Sequence, residues 1–391
     1  MVSSFFLTNS KHYFNASYGV VPKPVREYHE QLLERCEENP YRWFTRDYKV
    51  LLRKTRERLA NNYLNCDPED VVFVDNSSSG ANSVFEAARQ TKTVVLLDTA
   101  YSVIRGLAEK HAENVVFVPA FPLENIVKQL ERTLENLKQK EKVLVCIDHI
   151  ASCPGIVMPV CALARVCQKR KIPVLVDGAH ALGQVELNLK AFEESGVSYW
   201  VSDAHKWFFS PKGSAVLWAS KQKQGNQEKL RPSIDCASIG SPGCTVMENQ
   251  ENETSSLFQK RFEYLGTKDY TPWISLSGAM DFIEKEFLGY RTLIERNRQL
   301  AVWGQDYLQR ELKTHSEIKP DSIASMINVR LPIHLKMSPR ALMEHLESLG
   351  IYTVVFEYPQ TSGEHWIRLC VQWFVDKESI HNIAKELLKG F

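Results

Sequence analysis

The chain has 391 residues, 44% hydrophobic and 24% charged, enough for an extensive core and for two domains of unequal size. Its 48 Lys and Arg offset 47 Asp and Glu, leaving a net charge of +1, so no global field draws in nucleic acid or an anionic membrane, and small-molecule chemistry is favoured. Nine cysteines without a Cys-x-x-Cys pair argue against a disulfide framework and a structural zinc site.

The opening "MVSSFFLTNSKHYF" has too short an apolar run for a secretory signal, and no stretch approaches the roughly 18 apolar residues of a membrane span. A cytoplasmic protein is therefore expected. Next come seven short β-rich runs: "DVVFVDN", "TVVLLDT", "NVVFVPA", "KVLVCIDH", "IPVLVDGAH", "VSYWVSD" and "SAVLWAS". Their apolar stretches are continuous rather than alternating, the pattern of a mostly parallel sheet covered by helices on both faces. Intervening segments such as 122–140 and 159–170 have helical patterns, the second opening on proline and ending basic. Residues 221–256 turn polar and read as surface loops. "FEYLGTKDYTPWISLSGAMDFIEKEF" then leads through a Thr-Lys-Asp turn into a long helix. Beyond about residue 275, helices mix with the short strands "SMINVRLPI", "YTVVFEY" and "HWIRLCVQWF", the mark of a smaller α+β unit. The expected division is a large α/β domain at 20–274, with 1–19 and 275–391 forming the small one.

Ligands of open parallel sheets sit beyond the carboxyl ends of the strands. Polar residues end several runs here: Asp98 with Tyr101, Asp148 with His149, Asp177 with His180, and Asp203 with His205 and Lys206. An Asp after a strand is commonly a cap or turn residue, and a lone His is commonly structural. Successive strand ends facing one crevice make a shared role the better reading. Lys206, in "SDAHKWFFSPKG", asks for the most specific account, because a half-buried ammonium is costly unless paired or neutralised. An aldehyde cofactor resolves it. Pyridoxal 5'-phosphate needs a lysine for its Schiff base, an acid for its ring nitrogen, a phosphate cup and a surface for the ring. Lys206, Asp177, the loop "NSSSGAN" with Ser77 and Ser78, and Tyr101 are the respective candidates.

"VDGAHALGQ" followed by "SDAHKWFFSPKGSAVLW" resembles the class V aminotransferase superfamily of pyridoxal phosphate enzymes with fold type I, nearest to the isopenicillin N epimerase and hercynylcysteine sulfoxide lyase branch. The resemblance runs from "FNASYGVVPKPV" through "FEYLGTKDYTP" to "HWIRLCVQWF". It implies that Lys206 is the Schiff-base lysine, Asp177 the pyridinium partner, and His180 the neighbour of the phenolic oxygen, a role shared with Ser152. Ser77 and Ser78 then belong to the phosphate loop, completed by Asp203 and His205, and Tyr101 stacks on the ring. Thr267 reaches the phosphate of a second subunit, which implies a homodimer with composite sites. Arg368 pairs with the substrate α-carboxylate, as a planar guanidinium can. Asn15 lines the substrate side.

Related cysteine desulfurases carry a nucleophilic cysteine shortly before that arginine, and "IYTVVFEYPQTSGEHW" has none, which argues against persulfide chemistry. "CVQWFVDK" stands where relatives tend to have a Tyr-Asn pair, so the substrate contacts differ. Deprotonation at Cα of an amino acid is the expected step. Elimination of a sulfur group, a C–S lyase reaction, is favoured over epimerisation and transamination, since no second lysine or cysteine stands out as an opposite-face acid. Two other readings stand beside it. One is a metal-dependent hydrolase built on His149, Asp177, His180 and His205; the other is a cofactor-binding module without catalysis.

Overall fold

The structure, a computed structural model, describes residues 14, 16–137, 142–221, 226–232, 255–332, 337–359 and 362–389. All seven β-rich runs become strands of one sheet. They are β1 (Val71–Val74), β2 (Thr93–Leu97), β3 (Asn114–Val118), β4 (Val143–Asp148), β5 (Val174–Asp177), β6 (Tyr199–Asp203) and β7 (Ala215–Ala219). Their order is β1-β7-β6-β5-β4-β2-β3. Strands β2 to β6 pair in parallel, whereas β7 runs antiparallel to both β6 and β1. The reversal has a local cause: residues 204–214 between β6 and β7 form one short helical turn and a loop, too little chain for a parallel crossover.

The continuous apolar runs are explained by burial on both faces. Along β4, Val143, Val145 and Ile147 join one hydrophobic cluster, and Leu144 and Cys146 join the other. β3 departs from this pattern, being the edge strand, and its Phe117 is exposed. The expected helix over 122–140 is shorter, a 3-10 turn Leu123–Asn125 leading into helix Ile126–Asn136, with Ile126, Leu130 and Leu134 buried at helical spacing. The one expected over 159–170 runs Val160–Gln168. Of the polar loops expected at 221–256, residues 222–225 and 233–254 lie outside the described residues.

The smaller unit is an antiparallel sheet of β8 (Met326–Arg330), β10 (His365–Cys370) and β9 (Val354–Glu357), in that order. Helix Tyr290–Glu311 packs so closely on it that a Cβ at Gly304 would meet Ile327 Cδ1 at 2.6 Å. Phe14 belongs to this sheet's surroundings. Its N–H donates to the Tyr352 carbonyl (2.9 Å), and its own carbonyl accepts from the Cys370 N–H (2.7 Å). From there the chain runs to Gly19, which abuts the turn carrying Lys206.

Candidate active site

The carboxyl ends of β1, β2, β4, β5 and β6 lie along one edge of the large sheet and deliver the strand-end residues to it. Lys206 sits on a one-turn helix, Ala204–Trp207, that begins where β6 stops. Its Nζ is 3.0 Å from Asp203 Oδ2, and the other oxygen of Asp203 accepts the Ser77 N–H at 2.6 Å. One buried carboxylate thus joins the lysine to the N-terminus of helix Ser77–Ala87. That N-terminus is held by a capping box in which Asn76 Oδ1 accepts the Ser79 N–H (2.8 Å) and Ser79 Oγ accepts the Asn76 N–H (3.2 Å). Ser77 Oγ is buried without a hydrogen-bond partner, and Ser78 lies in the same first turn. An orphaned hydroxyl at a rigid helix N-terminus suits a phosphate, which would satisfy it.

His205 lies at the same corner. Its Nδ1 donates to the Ser214 carbonyl at 3.0 Å, and its Nε2 lies 4.0 Å from Asp203 Oδ2. Burial holds its pKa below the ordinary imidazole value, against the pull of Asp203 and Ser214.

Asp177 ends β5 and is buried, with Oδ1 accepting the Ala179 N–H at 3.0 Å. Burial raises its pKa, opposed by the Ala179 bond and the Lys206 charge and reinforced by Asp203. A carboxylate so placed is stabilised by a cation brought against it, the property a pyridinium partner requires. Three residues on, His180 Nδ1 accepts the indole N–H of Trp207 at 3.1 Å. Indole nitrogen only donates, so the proton of neutral His180 is on Nε2, which is left as a donor. Burial drives His180 far below the usual imidazole range, assisted by Lys206, Arg368 and His205, so the ring stays neutral.

Arg368, on β10, approaches from the small sheet. It is 1% exposed, and Nη1 donates to the carbonyl oxygen (2.7 Å) and Oγ (3.0 Å) of Ser152, with Cys153 Sγ at 3.8 Å. Nη2 donates to Ser17 Oγ at 3.2 Å, and Nε is buried without a partner. Among the described residues no carboxylate pairs with this guanidinium, so a buried positive charge awaits an anion. Ser152, expected to share with His180 the role of neighbour to the phenolic oxygen, has its Oγ accepting from Arg368 Nη1. Tyr101 stands at the N-cap of helix Ser102–His111 with its ring half exposed, 51%. Thr267 is exposed after Gly266, whose φ is +90°. Asn15 lies outside the described residues.

The imidazoles weighed as metal ligands are turned to other partners. His149 Nδ1 accepts the Trp200 indole N–H at 3.3 Å, as His180 does that of Trp207, and among the described residues no group of three or more His, Cys, Asp or Glu is arranged to hold a metal. Sequence reasoning gave no role to several residues of the site. Ser17 lies inside a quoted motif, Cys153 follows Ser152, and Trp207 follows the lysine, but their partners are remote in the chain. Asn328, which donates to the Gly155 carbonyl (3.0 Å) and accepts its N–H (2.6 Å), carried no signal at all.

A two-unit α/β architecture with a lysine after one strand and an acid at the end of its neighbour is that of fold type I pyridoxal phosphate enzymes. Residues 13–354 match the family described as Aminotransferase class-V, and the chain belongs to it. Similar curated proteins include an L-cysteine desulfhydrase-like protein, lolT1, of Epichloe uncinata (28% identical, covering 91% of this chain and 86% of that one). Isopenicillin N epimerase of Amycolatopsis lactamdurans is 27% identical (81% and 80%), and hercynylcysteine sulfoxide lyase of Schizosaccharomyces pombe 24% (96% and 93%). Among solved structures, a C-DES mutant with glycine covalently linked to the PLP cofactor superposes with a TM-score of 0.78 at 22% identity, covering 100% of both chains.

Proposed function

We propose that the chain is a cytoplasmic, pyridoxal phosphate-dependent C–S lyase acting on a cysteine-derived amino acid. Bound pyridoxal phosphate supplies an electron sink for the charge that develops at Cα. Lys206 holds its aldehyde and, once freed, takes the Cα proton as general base. Asp177 keeps the ring nitrogen protonated, and His180 donates its Nε2–H to the phenolic oxygen. Ser77, Ser78, Asp203 and His205 surround the phosphate, with Thr267 supplied by a second copy in a homodimer. Tyr101 covers the ring. Arg368 receives the substrate α-carboxylate, Ser152 and Ser17 aim its guanidinium, and Asn15 lines the same side. Residues 20–274 form the cofactor-binding domain, and 1–19 with 275–391 the smaller one.

The observation that carries this reading is that Lys206 and a fully buried Arg368, with no carboxylate paired to it among the described residues, both bear on His180. An amino acid held there by its carboxylate presents Cα to the lysine. Elimination is supported by relatives named for desulfhydrase and sulfoxide lyase activities; the isopenicillin N epimerase relative supports epimerisation as a second reading.

The test begins with the purified protein. It should absorb near about 420 nm, and borohydride should fix the cofactor to Lys206. Incubation with L-cysteine and S-substituted cysteine sulfoxides in D2O should release pyruvate and ammonia. Inversion at Cα without pyruvate would instead establish the epimerase, and a borohydride adduct away from Lys206 would end both readings.

A further inference from the structure

The turn that carries Lys206 is four residues long, so its last carbonyls have no partner within the helix. The Ala204 carbonyl accepts from the N–H of the C-cap residue Phe208 at 3.2 Å, which closes the turn; the later carbonyls face other segments of the chain. The His205 carbonyl faces Gly19, where a Cβ would come within 1.7 Å of its oxygen, and the Trp207 carbonyl faces Gly183, where a Cβ would come within 2.5 Å. The Lys206 carbonyl is met by the side-chain amide of Gln372, with Nε2 donating at 3.3 Å.

Gln372 follows Arg368 by four residues, just past the end of β10, and is 1% exposed. Its backbone is fixed: Arg296 Nη1 and the Val375 N–H both donate to its carbonyl, at 3.2 and 2.9 Å. Arg296 Nη2 reaches the Val375 carbonyl (2.5 Å), and its guanidinium lies over the Trp373 ring at 5.0 Å. The Oε1 of Gln372 is buried without a partner. An orphaned amide oxygen costs stability, so an apolar side chain of the same length would serve the packing better. What glutamine adds is the N–H directed at Lys206.

We infer that Gln372 is a positioning residue for Lys206: it caps the lysine turn from the small sheet and holds the amine in register with Arg368 through the stretch 368–372. The inference rests on the proposed role of Lys206 and deepens it. Substrate held at Arg368 and the amine that attacks its Cα proton are then placed by one continuous segment, and a small error in that placement is expensive in rate.

The test compares wild type with Gln372→Met, which keeps the length and removes both the N–H and the orphaned oxygen, in holoenzyme whose borohydride adduct has been mapped. With L-cysteine as the probe, kcat should fall at least about tenfold while KM stays within about twofold, the pattern of lost alignment rather than lost binding. The pH midpoint of the bound cofactor's visible absorbance should move, and the melting temperature should hold or rise. Unchanged kcat and an unchanged midpoint in well-folded Gln372→Met overturn the inference while leaving the lyase reading intact; an adduct away from Lys206 overturns both. If Gln372→Met does not fold, Arg296→Lys, which loosens the same turn from outside the site, must shift the midpoint in the same way, and no shift at an unchanged melting temperature is equally decisive against it.

Discussion

Arg368 Nη1 lies 2.7 Å from the carbonyl oxygen of Ser152, so a strand of the small sheet is tied to the loop that follows β4 in the large one. Asn328 reinforces that tie by grasping both the N–H and the carbonyl of Gly155. Arg368 is therefore aimed by the junction between the two sheets.

Arg368→Met tests what that buried charge costs. The substitution preserves volume and removes a guanidinium that has no acidic partner among the described residues, so stability should hold or rise, by about 1–4 kcal/mol. The Michaelis constant for a carboxylate-bearing amino acid should worsen, with kcat/KM falling about 100-fold or more. Calorimetry and steady-state kinetics on the same preparation check both halves.

Gly19 has φ +64°, and a Cβ there would come within 1.7 Å of the His205 carbonyl oxygen. Backbone blocks backbone, so no rotamer relieves the clash. Gly19→Ala should lose more than about 2 kcal/mol of stability, from left-handed strain and from overpacking combined. Because the displaced atoms belong to the lysine turn, the yield of borohydride adduct at Lys206 should fall with it. Urea titration and peptide mass mapping measure the two effects.

Asp148 lies beside Asp177 in the parallel register of β4 and β5, and its Oδ2 accepts the Thr99 hydroxyl at 2.7 Å. Burial and Asp177 raise its pKa to about 7, against the Thr99 bond and Arg105. The folded protein then holds a proton that the unfolded chain releases near the ordinary aspartate value of 3.8. The folded state binds more protons in that window, so this group's contribution to stability declines as pH rises from about 4 to about 7. Asp148→Asn retains the acceptor for Thr99 and removes the titration. Its melting temperature should fall less than that of wild type between pH 5 and 8, and parallel curves for the two proteins would refute the assignment.

Trp207→Phe removes the N–H that fixes the tautomer of His180. With Nδ1 released, the ring can place its proton on either nitrogen, and only one arrangement donates through Nε2. The nitrogen NMR signals of His180 should shift from a single tautomer toward a mixture, accompanied by a loss of about tenfold in kcat. A single-tautomer spectrum in the variant would mean that another contact orients the ring.

The strands and the family motif around Lys206 were legible in the sequence, because continuous apolar runs report burial on both faces and an unusual lysine after a strand reports a constraint that packing does not impose. The edge position of β3 and the reversal of β7 were not: a run such as "NVVFVPA" states that its residues favour a strand, whereas its neighbours are chosen by the whole sheet. Ser152 illustrates the same limit within the site, since its partner, Arg368, lies 216 residues away.

By itself, then, the sequence determined the parallel core, the motif around Lys206 and Asp177, and the family to which they belong, all of which depend on neighbours along the chain. Only the tertiary structure decided which nitrogen of His180 carries its proton, that Gly19 and Gln372 lie against the lysine turn, and that Arg368 is buried with no acid beside it among the described residues. Those are contacts between segments far apart in sequence, and their energies exist only after chain entropy has been spent bringing the segments together.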